Sequence, residues 1–271
     1  MKTLQIDTPE TGIALITLNR PETLNALNEQ MISDLRQTLD QLNNDRANRV
    51  IIITGAGKGF CAGADLSNTG AAPGFIPGTE GMGQLGYVYK FQEYLAELML
   101  AINECDKPVI AAVNGVAVGG GLAITLACDL RIASTKARFG SVFIKTGLSS
   151  CDVGTSYFLP RIIGLSDASD LMLTGRIIDA TEARELRLTS QTVEPEQLID
   201  ACLEKARMIR DNAEYGVWMT KKGLRSNVNA SSLREAMEIE NRTQVLGYFT
   251  GCMEEAMAAF NEKRPPKWPS L

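Results

Sequence analysis

The chain has 271 residues, 45% of them hydrophobic and 22% charged, with a formal net charge of −5 and no histidine. These proportions describe a globular chain that buries about three quarters of its unfolded surface without staples, and the negative balance argues against nonspecific nucleic-acid or anionic-membrane binding. The missing histidine excludes Ser-His-Asp and Cys-His hydrolysis, His-rich zinc sites and His-haem ligation, leaving proton transfer to carboxylates, Lys, Tyr, Cys or water.

In chain order, the first residues carry no apolar run of the signal-peptide kind. Residues 13–18 read as a strand. Residues 25–42 read as an amphipathic helix, with Leu27, Met31, Leu35, Leu39 and Leu42 on one face. The β-branched run at 50–55 is of the type buried in a parallel sheet, and a glycine-rich turn follows to Gly63. Residues 71–86, rich in Gly and Pro, read as a mobile loop. Helical spacing returns at 89–103 through Phe91, Leu95, Leu98 and Ile102. Residues 109–113 form the next strand, 123–128 a short helix and 130–133 another strand. The stretch 108–128 is long and apolar enough to suggest a membrane span, but its four glycines and Asn114 fit a strand, a glycine loop and a buried helix better. From about residue 195 four helical segments follow, at 196–210, 215–226, 233–249 and 253–263.

Strand and helix alternating with short loops is the α/β pattern. The composition shift divides the chain into a core over 1–195 and a C-terminal helical region over 196–271. The six cysteines form no CxxC pair and sit mostly among small apolar neighbours, which fits a reduced, cytoplasmic protein. No metal site is expected.

Two glycine-rich turns, Gly59 to Leu66 and Asn114 to Gly121, each follow a strand and precede a helix. Backbone N–H groups are unobstructed there and the helix dipole favours an anion. Two such groups converging form an oxyanion hole; a tight strand-to-helix turn alone explains the same residues.

Several stretches resemble one family. They are Leu18-Asn19-Arg20-Pro21 with Asn25-Ala26-Leu27, Phe60-Cys61-Ala62-Gly63-Ala64-Asp65, and residues 107–115. Gly119-Gly120-Gly121-Leu122, residues 128–133, 159–164 and 173–176 continue the series. In this order, over nearly the whole chain, they resemble the crotonase (enoyl-CoA hydratase/isomerase) superfamily. The resemblance implies an α/β, crotonase-like ββα spiral core with a C-terminal helical region. It also implies a homotrimer, often a dimer of trimers, and an acyl-CoA thioester as substrate, with coenzyme A part of the substrate and no separate cofactor. The thioester oxygen is then held by the N–H groups of Ala64 and Gly120, and the Ala62 backbone meets the adenine. Asp65 caps or orients the helix after the first turn. Arg20, Lys58, Lys263, Arg264 and Lys267 are candidates for the coenzyme A phosphates, although Thr23 stands where relatives are often basic. Trp268 and Phe260 cover adenine or make trimer contacts.

Two departures limit the chemistry. In the hydratases two glutamates position water; the matching positions here are Ala123 and Phe143, which line the pocket without a carboxylate. An alanine and a phenylalanine neither hold nor deprotonate water. Asp152 resembles the essential aspartate of dienoyl-CoA isomerases, and the aspartate of the chlorobenzoyl-CoA dehalogenase and of diketone-cleaving members. The last two also use histidines, absent here. Asp152 equally suits the N-cap of the helix containing Tyr157, and Cys151 and Tyr157 beside it read as packing residues. Glu240 is the distal carboxylate candidate, or a solvated helix residue.

The expectation is double-bond isomerisation of an enoyl- or dienoyl-CoA with Asp152 as base. Hydration or hydrolytic C–C cleavage through Asp152 and Glu240 is an alternative. A catalytically silent acyl-CoA-binding protein is another.

Overall fold

The computed structural model describes residues 3–65 and 76–271. Six strands form the larger sheet: β1 (Leu4–Glu10), β2 (Ile13–Leu18), β3 (Val50–Gly55), β5 (Val109–Val113), β7 (Leu130–Ser134) and β10 (Gln191–Val193). They lie in the order β1-β2-β3-β5-β7-β10, with β1 antiparallel to β2 and the rest parallel. A smaller sheet stacks the three-residue strands β4 (Gly59–Cys61), β6 (Val116–Val118), β8 (Arg138–Gly140) and β9 (Ile177–Asp179), with only β9 antiparallel.

Each turn of the chain visits both sheets and then a helix. β3 and β4 lead to α2 (Gln84–Glu104), and β5 and β6 lead to α3 (Gly120–Ala127). β7 and β8 lead through a 3-10 helix at Val142–Thr146 to α4 (Thr155–Ile163) and α5 (Leu165–Thr174), and β9 leads into the short α6 (Ala180–Glu185). This is the ββα spiral. β2 and β3 are joined by α1 (Glu29–Asn44), and α2 packs against both α1 and α3.

The β-branched runs lack polar alternation because both faces of the sheet are covered. Ile51 and Ile53 of β3 and Val109, Ala111 and Val113 of β5 face the main core beneath α1, α2 and α3. Val50, Ile52, Ile110 and Ala112 face the other way. That second face is sealed by α7 (Leu198–Arg210), which buries Leu198, Cys202, Leu203 and Ala206 against it. This first helix of the C-terminal segment is therefore a layer of the spiral core.

The remaining C-terminal helices attach differently. α8 (Glu214–Asn227) buries only Lys221, α9 (Leu233–Gly247) buries no residue and α10 (Cys252–Glu262) buries only Ala259. Charge docks α8 onto the core. Lys221 Nζ lies 2.6 Å from Asp129 Oδ2 and donates to the Lys107 carbonyl at 2.7 Å. Arg225 meets Asp129 at 3.2 Å, and Lys222 meets Asp106 at 2.8 Å.

Two helix starts differ from the sequence reading. α1 begins at Glu29, because Leu24 and Asn25 adopt left-handed backbone (φ 52° and 58°) and Asn28 caps the helix by accepting from the Met31 amide at 2.9 Å. α2 begins at Gln84, five residues before the periodicity suggests, so only 71–75 of the expected loop lie outside the described residues. The stretch 108–128 is β5, β6 and α3, and among the described residues no helix is long and apolar enough to cross a membrane.

Candidate active site

Two asparagines, the buried Asn25 and the half-buried Asn114, shape the place where β3 crosses into β4. Asn25 accepts from the Arg20 amide at 2.8 Å and donates to the Gly59 carbonyl at 2.8 Å and that of Ala56 at 3.0 Å. Asn114, at the end of β5, accepts from the Gly55 amide and donates to the carbonyls of Gly57 and Gly59, each at 3.1 Å. These amides satisfy a turn that has no ladder partners of its own.

Beyond β4 the chain pairs with the segment leading into α1. The Ala62 amide donates to the Leu24 carbonyl at 3.0 Å, and the Leu27 amide donates to Gly63 at 2.7 Å. The Asp65 amide donates to Leu27 at 2.9 Å. Leu27 thus bonds the residues on either side of Ala64 in a parallel bridge, which turns the N–H of Ala64 itself the other way. Gly120 is the first residue of α3, where an N–H has no partner within the helix. Neither amide meets an acceptor among the described residues.

The two backbones lie against each other. A Cβ on Gly120 would sit 3.6 Å from Gly63 Cα and 3.9 Å from Ala64 N. Gly63 adopts φ +90°, and a Cβ there would meet the Val118 carbonyl at 3.0 Å and Gly120 N at 3.2 Å. Gly121 admits no side chain either, since its Cβ would fall 1.9 Å from the Cys61 carbonyl. Two unpaired N–H donors side by side, one at a helix N-terminus, can hold a developing oxyanion.

Apolar side chains wall this spot. From a Cβ on Gly119, Val142 Cγ2 would be 3.7 Å away and Phe143 Cε1 3.8 Å. Ala123, one turn into α3, is fully buried, and its amide donates to Gly119 at 3.1 Å. Neither Ala123 nor Phe143 brings a polar side chain to this spot.

Arg20 braces the first loop. Its guanidinium lies 2.8 Å from Asp65 Oδ2 and donates to the Ala26 carbonyl at 2.6 Å, with side-chain exposures of 17% and 8% for Arg20 and Asp65. The structure therefore engages Arg20 within the loop, and Asp65 is tied back to the segment before α1. The Arg20→Met variant removes the guanidinium from beside a buried carboxylate and is expected to cost about 3 kcal/mol of folding stability. The urea midpoint should fall accordingly, and an unchanged midpoint would show that the brace contributes nothing.

Asp152 stands on the turn before α4. The N-cap of α4 is Gly154 and receives no side-chain cap, so Asp152 is not capping that helix. The Asp152 carbonyl instead accepts from the Thr155 amide at 2.8 Å, closing a turn whose central residues, Val153 and Gly154, are both left-handed (φ 38° and 83°). A β-branched residue pays strain in that conformation. The Asp152 carboxylate accepts from Gln92 Nε2 of α2. Burial pushes its pKa above the ordinary aspartate value, and the hydrogen bonds from Gln92 and the Val153 amide pull it partly back. α4 and α2 both pack on α3, so the helix beginning at Gly120 touches both the element that follows Asp152 and the one that carries Gln92.

Other sequence candidates lie elsewhere. Glu240, on the exposed side of α9, accepts from Asn227 Nδ2 at 3.2 Å and lines a cavity of about 760 Å³ between α8, α9 and α10. Among the described residues no hydrogen bond or ion pair joins Glu240 to Asp152. Lys263 closes α10 as a left-handed, exposed cap. Arg264 pairs with Glu255 at 2.5 Å and Glu262 at 2.6 Å, and the Lys267 amide donates to Glu255. Lys58 and Phe260 are exposed, and Trp268 donates to the Asp211 carbonyl at 2.8 Å. Cys151 is an exposed free thiol. Tyr157 accepts from Asn229 at 2.8 Å, with Arg161 stacked 3.7 Å above its ring. Gln92 escapes sequence reasoning, since nothing local marks it within its helix.

Residues 8–270 match the family described as enoyl-CoA hydratase/isomerase. The chain is 41% identical over 261 residues to the protein of Mycobacterium leprae named "Probable enoyl-CoA hydratase echA12", covering 96% of this chain and 87% of that one. It is 34% identical to the 1,2-epoxyphenylacetyl-CoA isomerase of Escherichia coli, covering 96% and 95%. The crystal structure of a "probable enoyl-CoA hydratase/isomerase from Mycobacterium abscessus" superposes with a TM-score of 0.91 at 41% identity, over 98% of both chains. With the ββα spiral and the paired glycine turns in place, the chain belongs to the enoyl-CoA hydratase/isomerase family, within the crotonase superfamily, as an acyl-CoA enzyme.

Proposed function

We propose that the enzyme moves a carbon–carbon double bond in an enoyl- or dienoyl-CoA. Asp152 acts as the base, and the Ala64 and Gly120 amides hold the thioester oxygen. The observation that carries this reading is a half-buried carboxylate, raised by burial and held by a neutral donor, on elements that pack on the helix whose first N–H, that of Gly120, lies beside that of Ala64. Asp152 takes a proton from the α- or γ-carbon, and the electron pair delocalises onto the thioester oxygen. The two amides stabilise that charge as it forms. The carboxyl formed on Asp152 exchanges its proton with solvent and returns one at the other carbon, so nothing is consumed and no cofactor is required. Hydration needs a second group to place water, and Ala123 and Phe143 offer none.

Incubation with 3-hexenoyl-CoA in deuterated water tests the reading. Formation of the conjugated 2-enoyl thioester, with deuterium entering at the α- or γ-carbon, is expected. Hydration of crotonyl-CoA without any such exchange would overturn it.

The remaining assignments follow the same reading. The Ala62 backbone meets the adenine, and Lys263 supplies a cation for a coenzyme A phosphate. Arg20, already engaged by Asp65, serves the loop rather than the phosphate. Glu240 stays outside the chemistry in this arrangement of helices.

The enzyme works as a homotrimer or a dimer of trimers. Supporting this are apolar side chains left in solvent on the C-terminal helices: Phe249 is 83% exposed, Phe260 84%, Leu246 60% and Met257 58%. Such patches are seldom left uncovered. Light scattering should give the mass of three or six chains, and Phe249→Asp combined with Phe260→Asp should reduce it. A wild-type mass of one chain would sink the assignment.

A further inference from the structure

The hydrogen bond between Gln92 and Asp152 joins residues 60 positions apart, on α2 and on the turn before α4. Gln92 is itself exposed, so burial of its own surface does not account for its direction. Its helix neighbours point their charges elsewhere. Lys90 pairs with Glu93 at 2.7 Å, and Glu97 meets Arg36 of α1 at 2.6 Å. Arg36 also stacks over Tyr94 at 4.5 Å. What α2 presents to Asp152 is a neutral amide.

That choice has a chemical consequence. A Lys or Arg in this place would grip the carboxylate more firmly, but would favour its ionised form and weaken it as a base. An amide fixes the carboxylate plane through Oδ1 with a smaller loss of basicity. The Asp152 turn needs such a fix from outside, because Val153 and Gly154 bend it through left-handed backbone and α4 offers no cap contact to the side chain.

We infer that Gln92 is a positioning residue that holds the Asp152 carboxylate in its reactive orientation, an assignment that rests on the reading of Asp152 as the base. Other titratable or charged groups on the surrounding elements are Cys151 on the same turn, Tyr157 and Arg161 on α4, Lys145 on the 3-10 helix, and Tyr87, Tyr89, Lys90, Glu93, Tyr94, Glu97 and Glu104 on α2. The shift of Asp152 follows from burial, the Gln92 hydrogen bond and the Val153 amide.

The test compares wild type, Gln92→Met, Gln92→Lys and Asp152→Asn in the full-length protein. Two quantities are read: the titration of the Asp152 carboxyl by carbon-13 NMR, assigned by its absence in Asp152→Asn, and deuterium exchange into 3-hexenoyl-CoA. Gln92→Met keeps the length of the side chain and removes the donor. It should move the Asp152 titration, and with it the acid limb of kcat, to higher pH. It should also lower kcat at the plateau about tenfold to a hundredfold with KM unchanged. Gln92→Lys should move the titration the opposite way, which keeps the sign testable if the first variant folds poorly.

A Gln92→Met variant in which either quantity stays at its wild-type value overturns the inference. With the rate unmoved, orientation does not depend on Gln92; with the titration unmoved, Gln92 does not act through Asp152. Persistent exchange in Asp152→Asn, or none in wild type, would instead defeat the reading of Asp152 as base. Loss of exchange in Asp152→Asn beside an unaffected Gln92→Met confines the failure to Gln92.

Discussion

The Asp152→Asn enzyme is expected to lose about 10²- to 10⁴-fold in kcat for proton exchange, the range that a positioned general base supplies. Asparagine keeps the shape and can still accept from Gln92 through its carbonyl oxygen, so the loss isolates basicity from geometry. Two further consequences separate this from simple damage. In wild type the rate should fall as pH drops through the raised Asp152 pKa, placing the acid limb above the ordinary aspartate value of about 3.9. The substituted enzyme should show no such limb.

Stability should move the other way. A carboxyl whose folded pKa lies above its unfolded value makes the folded state bind a proton more tightly. Its contribution favours folding below the unfolded pKa and is lost as pH rises through the folded one. At neutral pH the ionised, half-buried Asp152 is therefore a burden, and the Asn variant should melt at the same temperature as wild type or higher. Lower rate with equal or greater stability is the pattern of a functional residue. A variant that melts earlier and exchanges normally would assign Asp152 to the scaffold instead.

Gly120→Pro should cost about 10² to 10³ in kcat, the usual effect of deleting one oxyanion donor. Backbone N–H groups are hard to remove by mutation, but this one sits at the first position of α3, where proline is tolerated because its missing N–H has no helical partner. The added Cβ meets Leu27 Cδ1 at 3.1 Å, the end of a flexible side chain that can yield. The fold should survive, with a melting temperature near that of wild type. Retained activity in a folded Gly120→Pro enzyme would mean that the α3 N-terminus is not where charge develops. The two variants probe opposite ends of one reaction, the proton acceptor and the electron sink.

Much of the fold is legible before any coordinates. The buried strands announce themselves because a sheet covered on both faces demands unbroken β-branched runs, as at Val50–Gly55 and Val109–Val113. The strands of the second sheet do not, because three residues carry no period and two of those positions, Gly59 and Gly140, are glycines. The early start of α2 is hidden by a first turn containing Gly86, a poor helix former held in place by tertiary context. At the proposed site, the glycine turns around Ala64 and Gly120 stand out in the sequence, whereas the partner of Asp152 does not. No sequence signal links Gln92 to a turn 60 residues away. Nor does Val153 suggest a left-handed turn, since valine is among the last residues that local preference would put there. That Asp152 does not cap α4 is visible only from the position of Gly154.

The sparse burial of α8, α9 and α10 has a thermodynamic consequence. Three helices that together enclose only Lys221 and Ala259 gain little from folding within a single chain, and their charged docking to Asp129 and Asp106 weakens as salt screens its exposed members. In the assembly proposed above, their order is borrowed from neighbouring copies, so the stability of this part of the enzyme is a function of protein concentration rather than a constant of the sequence.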